Sequence, residues 1–495
     1  MEGFLIDPDN FILTRWIFLR VLGLVYLVAF ASFSVQVTGL IGKNGILPAG
    51  DFLASVYKTM GRRGVLFYPT LVWLNASDAF MKGLCFAGIF LALLLLLGIE
   101  TTPVLAFLFI FYLSLVNAGQ VFLSYQWDAL LVETGFLSIF LVSPGLLPYQ
   151  EAAPPSPIAI LLFRWLLFRL MFMSGIVKLT SGDPTWKHLT ALAFHYETQP
   201  LPTPLAWVMH RASLGFQKFS TLFTLFVELV VPWFFFAPDL HRFVAGGLII
   251  YLMLLIMATG NYAFFNILAI GLAIFLFDDR VLRPILPDSF PGLIPPAPQV
   301  GADPAWGNWV LLPLFAIYLV TGIVYILTRA TRRKGFLRYL QPLLNIVGSL
   351  RIANAYGLFA VMTTQRPEII LEGSNDGQNW LPYEFKYKPG DLQRAPPVVA
   401  PHQPRLDWQM WFAALGSYAS NPWFLRFIER VLTGSPEVLR LIAKNPFPDK
   451  PPRYIRAVLY DYHFTTPEEK SQDGSWWRRQ PLDLYLPPAT LEEEG

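Results

Sequence analysis

The sequence predicts a mostly α protein: a polytopic membrane helical bundle followed by a smaller soluble β-rich domain with a helical insertion. Two observations predict this fold class. Of the 495 residues, 54% are hydrophobic and only 14% are charged, whereas soluble domains contain about 25% charged residues. The apolar residues are also concentrated in long runs, and a helix that crosses a bilayer needs about 20 of them.

Nine runs come close to this requirement, so we predict about nine spans. The runs are Thr14–Thr38, Ala79–Gly98, Thr102–Ala118, Asp128–Leu147, Ile158–Thr180, Phe219–Pro238, Phe243–Thr259, Tyr262–Phe277 and Trp306–Leu327. Several are separated by only a few residues, which leaves the count open by about one or two. Val65–Leu74 is apolar but too short to cross, and we expect an interfacial or re-entrant segment there.

These runs define a membrane domain at residues 1–338, with two longer interfacial loops at 39–78 and 181–218. Nine spans place the N-terminus and the C-terminal region on opposite sides, with both loops on the C-terminal side. Lysines and arginines concentrate on that side. Four of them lie close to a span, at Arg329, Arg332, Arg333 and Lys334. The positive-inside rule assigns this side to the cytoplasm.

Membrane-length runs stop after residue 338, where a soluble domain begins. Ile369–Glu372 and Tyr383–Tyr387 are predicted strands around an Asn375-Asp376-Gly377 turn, and Arg453–Phe464 is a third strand candidate. Helices are predicted in the insertion between the second and third strands. They cover Leu406–Leu415, Pro422–Leu432 and Pro436–Lys444. We place this domain at 339–465 and expect the charged tail, 466–495, to be poorly ordered.

Composition argues against several classes of function. The formal net charge is only +3 and no basic arm is present, so nucleic acid is not an expected partner. Cys85 is the only cysteine, which rules out an internal disulfide, a cysteine metal site and dithiol chemistry within one chain. The sequence contains no phosphate-binding glycine loop and no nucleophile elbow, and we predict no cofactor. We expect no cleavable signal peptide, because the first apolar run is too long for one.

The most informative stretch, residues 163–202, begins as an apolar helix with three basic residues. These are Arg164, Arg169 and Lys178. An ionisable group at the centre of a membrane costs about 3 kcal/mol or more, and a buried charge needs a partner.

Comparing depths along the predicted spans gives the pairs Arg169–Glu228 and Glu133–Lys178. Arg164 has no acid at its own depth, so we expect it to face a polar cavity or the opposite membrane surface. Two interpretations of these charges remain open: they fix helix register, or they line a functional cavity.

The second half of the stretch leaves the membrane through a Gly-Asp-Pro turn and gathers aromatic and titratable residues. They are Asp183, Trp186, His188, His195, Tyr196 and Glu197. The two histidines are seven residues apart, so a helix would place them on one face. A zinc site also needs a third ligand and supporting groups at a characteristic spacing, and no such pattern is present. We therefore predict no metal site.

Several long stretches resemble the lipase maturation factor family. They are Trp127–Phe140 (WDALLVETGFLSIF), Phe163–Trp207, Gly260–Asn266 (GNYAFFN), Arg351–Asp391 and Ala400–Gly416. They occur in the family's order and cover most of the chain. Eukaryotic members are multi-span proteins of the endoplasmic reticulum membrane that help certain secreted lipases fold and assemble into active dimers. The resemblance implies a non-enzymatic, chaperone-like maturation factor whose partners are membrane lipid and a client lipase.

The resemblance also implies where the client binds and on which side. Exposed apolar surface on loop 181–218 and on the C-terminal domain would contact the client. Trp380, Trp408 and Trp411 are the candidates, and we expect at least one of them in the core instead. The family topology places the C-terminal side in the lumen, or in the periplasm of a bacterium, whereas the charge count places it in the cytoplasm.

A shorter stretch resembles a different family. Gly175-Ile176-Val177-Lys178-Leu179, followed by Asp183 and Trp186, is similar to a passage of the vitamin K-dependent γ-glutamyl carboxylases. A lysine at that position acts there as the base on the reduced quinone. The resemblance implies an alternative function, a carboxylase-like or redox enzyme acting on a quinone or lipid with Lys178 as the base. A transporter is a third alternative, and the absence of an obvious duplicated half argues against it.

Overall fold

We analysed a computed structural model that describes residues 6–145, 154–285, 306–331 and 337–491. The mostly helical architecture is confirmed. The helices of the membrane domain are α1 (Ile12–Ser34), α2 (Val37–Ile41), α3 (Ala49–Met60), α4 (Arg63–Phe67), α5 (Asp78–Leu96), α6 (Thr102–Ala118), α7 (Gln126–Ser138), α8 (Pro157–Thr180), α9 (Pro184–Lys187), α10 (Ala191–Thr198), α11 (Pro204–Met209), α12 (Leu214–Leu229), α13 (Asp239–Thr259), α14 (Phe265–Ala273), α15 (Asp279–Leu282) and α16 (Asn308–Thr331).

Six of the described helical segments are long and apolar enough to cross a bilayer, so this is a multi-pass integral membrane protein. They are Pro8–Ser34, Asp78–Leu96, Pro157–Thr180, Leu214–Phe236, Asp239–Thr259 and Asn308–Thr331. The other three predicted runs contain shorter helices: α6 has 17 residues, α7 has 13 and α14 has 9, and of these only α6 reaches the lower limit for a span. Of the predicted run at 128–147, the last two residues lie outside the described part. The segment expected at Val65–Leu74 forms the end of α4 and a short 3-10 turn.

Hydrogen bonds show which helix ends lie side by side at the two surfaces of the membrane domain. At one surface, the Asp279 carboxylate accepts hydrogen bonds from the backbone N–H groups of Leu13 and Thr14, at 2.8 and 2.9 Å. At the other surface, the C-terminal end of α6 contacts the start of the C-terminal domain, where Asn117 Nδ2 lies 3.2 Å from Ser349 O.

The two longer loops lie beside the C-terminal domain at this second surface. Ser435 donates to Asn44 O at 2.8 Å, and Met362 N donates to Asp183 at 2.6 Å. Of the predicted basic cluster, Arg329 is exposed near the end of α16, and residues 332–334 lie outside the described part.

The C-terminal region contains two antiparallel sheets and a helical insertion. Its elements are α17 (Leu337–Ser349), β1 (Pro367–Ser374), β2 (Leu381–Pro382), β3 (Glu384–Phe385), α18 (Arg405–Ala414), α19 (Pro422–Leu432), α20 (Pro436–Leu439), β4 (Ile442–Lys444), β5 (Tyr454–Phe464), α21 (Pro467–Asp473) and β6 (Trp477–Ala489). The larger sheet has the order β2-β1-β5-β6, and β3 pairs with β4. The helix predicted at Pro436–Lys444 is therefore divided into α20 and a strand.

The expectation of a poorly ordered tail is wrong for the described residues 466–491. Thr466 and Glu469 form a reciprocal cap at the start of α21, and β6 pairs with β5 along the sheet edge. Two buried aromatic residues hold β6 in place, since Trp477 stacks on Phe464 at 4.5 Å and Tyr485 is also buried. The charged and polar residues between them are exposed because the strand is at the edge of its sheet.

A buried ion pair joins the two domains. Arg405, the first residue of α18, donates to both carboxylate oxygens of Asp128 in α7 at 2.8 Å, and to Phe122 O at 2.7 Å. Both charged side chains are almost completely buried. The adjacent Trp408 packs edge-to-face on Trp127, with 4.8 Å between the ring centroids. The C-terminal domain is thus docked through a desolvated contact.

This contact gives a stability prediction. We expect Arg405→Met to lower the free energy of unfolding by about 3–5 kcal/mol, because it leaves the Asp128 carboxylate buried without its partner. The double variant Arg405→Met/Asp128→Leu should recover part of the loss. The matched control is Arg426→Met, at an exposed pair with Glu429, which should cost less than about 1 kcal/mol. Thermal or denaturant unfolding of the purified protein measures all three, and equal losses for Arg405→Met and Arg426→Met would contradict the prediction.

Candidate functional site

The charges of α8 are paired with two acids, but the predicted partners are exchanged. Arg169 pairs with Glu133 and Lys178 pairs with Glu228, so the predicted pairs Arg169–Glu228 and Glu133–Lys178 are wrong. The predicted pairs assumed that all helices end at the same depth in the membrane. The middle of α12 instead lies beside α10, where Thr221 accepts a hydrogen bond from Leu192 N at 3.4 Å, so Glu228 meets the end of α8 and not its middle.

Glu133 is the centre of the first cluster. One carboxylate oxygen accepts from the Arg169 guanidinium. The other accepts from Asn354 N at 2.8 Å, Asn354 Nδ2 at 3.0 Å and the Tyr356 hydroxyl at 2.8 Å. Arg169 also donates to Asn354 O at 3.1 Å, and both charged side chains are fully buried. Asn354 and Tyr356 belong to the segment between α17 and β1, so this cluster binds that segment to the membrane domain.

The second pair, Lys178 with Glu228, uses all three N–H groups of the lysine. Lys178 Nζ lies 2.8 Å from each Glu228 carboxylate oxygen and 3.2 Å from Ser174 O, and 5.2 Å from the centre of the Trp186 ring. The Lys178 ammonium is thus held in an ion pair with Glu228. The geometry therefore gives no support to Lys178 as a general base.

Gly175 allows this pair to form. It lies on the face of α8 that contacts α12, and a Cβ added there would come within 2.6 Å of the Leu229 side chain and 3.1 Å of the Glu228 Cβ. Contacts below 3.0 Å require a neighbour to move. The glycine of the Gly-x-x-Lys stretch is thus explained by close helix packing.

Arg164 lies near the membrane surface opposite to the C-terminal domain, which is one of the two positions expected for it. Its Nε donates to Phe275 O at 3.0 Å, at the end of the segment that contains α14. Its guanidinium also faces the Phe11 ring at 5.4 Å. A backbone carbonyl and an aromatic ring therefore make the direct contacts with Arg164, and Asp278 and Asp239 attract it from a greater distance.

The loop residues Asp183 and Trp186 anchor the C-terminal region. Asp183 caps α9 by accepting from Thr185 N at 2.8 Å, and it also accepts from Met362 N. The Trp186 indole donates to Phe359 O at 3.0 Å.

His188 is exposed at the end of α9, so it does not share a site with His195. Among the residues that the structure describes, no group of three or more His, Cys, Asp or Glu side chains is placed to hold a metal ion.

The neighbouring residues Tyr196 and Glu197 form part of the joint with the sheet. Tyr196 is buried in a small core with Tyr462, Phe464 and Trp477. Glu197 accepts from Phe464 N at 2.7 Å, and its second oxygen lies 3.2 Å from His463 Nδ1. These contacts hold α10 against the end of β5.

Two of the tryptophans predicted to contact a client are in the core. Trp408 and Trp411 are 3% and 5% exposed, and the Trp411 indole donates to Thr198 O at 3.0 Å. A core position was expected for at least one of the three tryptophans, and neither of these two is accessible for client contact in the folded protein. Trp380 is half-buried on the sheet and remains a candidate.

An apolar cavity of about 430 Å³ lies beside the Lys178–Glu228 pair. It is enclosed by α8, α10, α12 and α13 and by residues 358–362 of the C-terminal region. Burial and the positive charge of Lys178 lower the pKa of His195, which lines the cavity, to about 4. The imidazole is consequently neutral at neutral pH.

Sequence reasoning did not identify Tyr262, which lines this cavity, or Gln199 behind it. The Tyr262 hydroxyl donates to Gln199 Oε1 at 2.8 Å. Both occur within stretches that carry the family resemblance, GNYAFFN and the end of HYETQ. Membership of these stretches was the one sequence feature that could have drawn attention to the two residues, because their contact joins positions 63 residues apart.

Family comparisons agree with the two-part architecture. Residues 13–284 match the model described as the lipase maturation factor transmembrane domain, and residues 352–487 match the lipase maturation factor C-terminal domain. Neither model describes a carboxylase. No solved structure matches the chain significantly.

Curated relatives match along almost the whole chain. The chain is similar to lipase maturation factor 2 of Homo sapiens, with 38% identity over 97% of this chain and 83% of that protein. It is also similar to lipase maturation factor 2 of Gallus gallus, with 36% identity over 96% and 81% of the two chains. Lipase maturation factor 1 of Bos taurus is 36% identical over 98% and 90%. This chain therefore belongs to the lipase maturation factor family.

Proposed function

We propose that this protein is an integral membrane maturation factor that helps secreted lipases or related enzymes to fold and assemble. The observation that carries the proposal is the family match across both domains, since the matched relatives are named lipase maturation factors. The buried contacts between the domains support a single working unit. The Lys178 geometry favours this function over the carboxylase-like alternative.

A surface suited to a client lies on the outer face of the larger sheet. We define this outer sheet face as Trp380, Arg456, Val458, Tyr460, Arg479 and Leu484. The Arg456 guanidinium lies 4.3 Å above the Trp380 ring, and the Arg479 guanidinium lies 4.5 Å above the Tyr460 ring. Leu484 is 42% exposed and pairs with Val458 in the strand register. Tryptophan, tyrosine and arginine are the residues most often responsible for binding energy at protein interfaces.

We expect Trp380→Ala to reduce client binding without unfolding the domain, because Arg456 keeps its 2.7 Å contact with Glu372. Loss of one interfacial anchor costs about 2 kcal/mol, or about 30-fold in Kd. The measurement is co-purification of a co-expressed secreted lipase, together with its secreted specific activity, in eukaryotic cells that lack their own lipase maturation factors.

The matched control is Trp309→Ala, which removes an exposed tryptophan near the opposite end of the membrane domain. It should leave lipase binding and activity unchanged. If Trp380→Ala behaves like this control, the outer sheet face does not bind the client.

Two variants distinguish a structural role of Lys178 from a catalytic role. Lys178→Met alone should destabilise the protein by about 3–5 kcal/mol, because it leaves Glu228 buried and unpaired. The double variant Lys178→Met/Glu228→Leu should fold and should retain lipase maturation, because both charges are removed together. Unfolding and secreted lipase activity are measured for both variants. A double variant that folds normally but matures no lipase would favour chemistry at Lys178.

We place the protein in the endoplasmic reticulum membrane, or in the inner membrane of a bacterium, with the C-terminal domain in the lumen or periplasm. The family topology and the position of the outer sheet face support this orientation. In eukaryotic cells, an N-glycosylation acceptor appended after Gly495 should be glycosylated, and the same acceptor placed before Met1 should not. The reverse pattern in an endoglycosidase mobility assay would support the orientation that the positive-inside rule predicts.

A further inference from the structure

The cavity beside Lys178 has its mouth between two membrane-spanning helices. Four lining residues are exposed at the outer surface of these helices: Phe216 and Phe219 on α12, and Tyr251 and Leu255 on α13. The segments that carry them, Leu214–Phe236 and Asp239–Thr259, are long and apolar enough to cross a membrane. The cavity volume is within the usual range for ligand sites, about 300–1,000 Å³. An occupant would therefore enter sideways from the hydrocarbon of the bilayer.

The polar side chains around this cavity have already used most of their hydrogen-bond donors. The three N–H groups of Lys178 contact Glu228 and Ser174 O. The hydroxyls of Thr224 and Thr259 donate to backbone carbonyls one turn earlier, at 2.9 and 3.0 Å. Free lone pairs remain on these hydroxyls and on the Glu228 carboxylate. These side chains therefore offer an occupant acceptors rather than donors.

A chain of hydrogen bonds fixes the tautomer of His195. Gln199 Nε2 donates to Thr259 O at 2.9 Å and to Tyr196 O at 3.3 Å, which orients the amide so that Oε1 is an acceptor. The Tyr262 hydroxyl gives its proton to this oxygen, so the same hydroxyl must accept from His195 Nε2, 3.2 Å away. A neutral imidazole with a proton on Nε2 has none on Nδ1.

His195 Nδ1 is thus a bare acceptor. It is buried and has no hydrogen-bond partner among the described residues. A buried acceptor without a donor is energetically unfavourable.

We propose that this cavity binds an uncharged membrane lipid with a free hydroxyl group, such as a diacylglycerol or a sterol. The lipid hydroxyl donates to His195 Nδ1, and the hydrocarbon lies between α12 and α13. A hydroxyl supplies the donor that His195 Nδ1 lacks. A fatty-acid carboxylate would bring only more acceptors beside Glu228, and its negative charge would have no free cation among the described lining residues, because Lys178 is already paired with Glu228.

The experiment uses the full-length protein in lipid nanodiscs and photoactivatable analogues of a diacylglycerol, a sterol and a fatty acid with the same chain length as the diacylglycerol. We expect at least one hydroxyl lipid to label peptides from α12 and α13. The unlabelled form of that lipid should compete for labelling at least about tenfold better than the fatty acid, a ratio equivalent to one net hydrogen bond. The stronger of the two hydroxyl probes identifies the lipid class.

Two variants test the site. His195→Phe keeps an aromatic ring but removes the acceptor, and it should weaken labelling by about tenfold. Leu255→Trp, at the exposed mouth, should obstruct entry and abolish labelling. His188→Phe is the matched control, because His188 is exposed outside the cavity, and it should label like the wild type.

Three results would overturn the proposal. They are equal competition by the fatty acid, wild-type labelling of a folded His195→Phe protein, and wild-type labelling of Leu255→Trp. The last variant keeps the proposal falsifiable if His195→Phe does not fold. None of these measurements depends on lipase maturation, so their failure is distinct from failure of the proposed function.

Discussion

The buried carboxylate of Glu133 is the interaction on which the rest of the structure depends. Burying a carboxylate is unfavourable unless a counterion and hydrogen bonds replace its water. Here one oxygen faces Arg169 and the other accepts three hydrogen bonds from Asn354 and Tyr356. Asn354 and Tyr356 lead into the C-terminal domain. Glu133, which balances the charge of Arg169 in α8, therefore also positions that domain. The domains are therefore connected by a contact that neither can complete alone.

The charged residues of α8 have different roles. Arg169 fixes the joint with the C-terminal region, whereas Lys178 is neutralised by Glu228 beside a cavity. The two interpretations that the sequence left open, helix register and a functional cavity, thus apply to different residues. Arg164 belongs to neither group, because a carbonyl and an aromatic ring satisfy it.

Most of the fold could be predicted because long apolar runs have few alternatives in a bilayer. The strands at β1 and β5 were also predictable, since each is rich in strand-forming residues. The pairing of Arg169 with Glu133 and of Lys178 with Glu228 was not predictable. The helix ends lie at different depths, and the sequence alone does not give those depths. The edge strand β6 was missed for a related reason. Exposed charged residues such as Arg478 and Arg479 are typical of a solvated tail. The burial of Trp477 and Tyr485 explains why this segment instead forms an ordered strand.

The most direct test of this account is a double-mutant cycle between Arg169 and Tyr356, measured as free energies of unfolding of the purified protein. Tyr356→Phe alone should cost about 1.5–3 kcal/mol, because it removes a hydrogen bond to a charged acceptor. In an Arg169→Met background the Glu133 carboxyl has no counterion and takes up a proton, so the Tyr356 hydroxyl faces a neutral acceptor and the same change should cost less than about 1 kcal/mol. Costs that agree within about 0.5 kcal/mol in the two backgrounds would show that the residues act independently. That result would contradict a joint organised around Glu133.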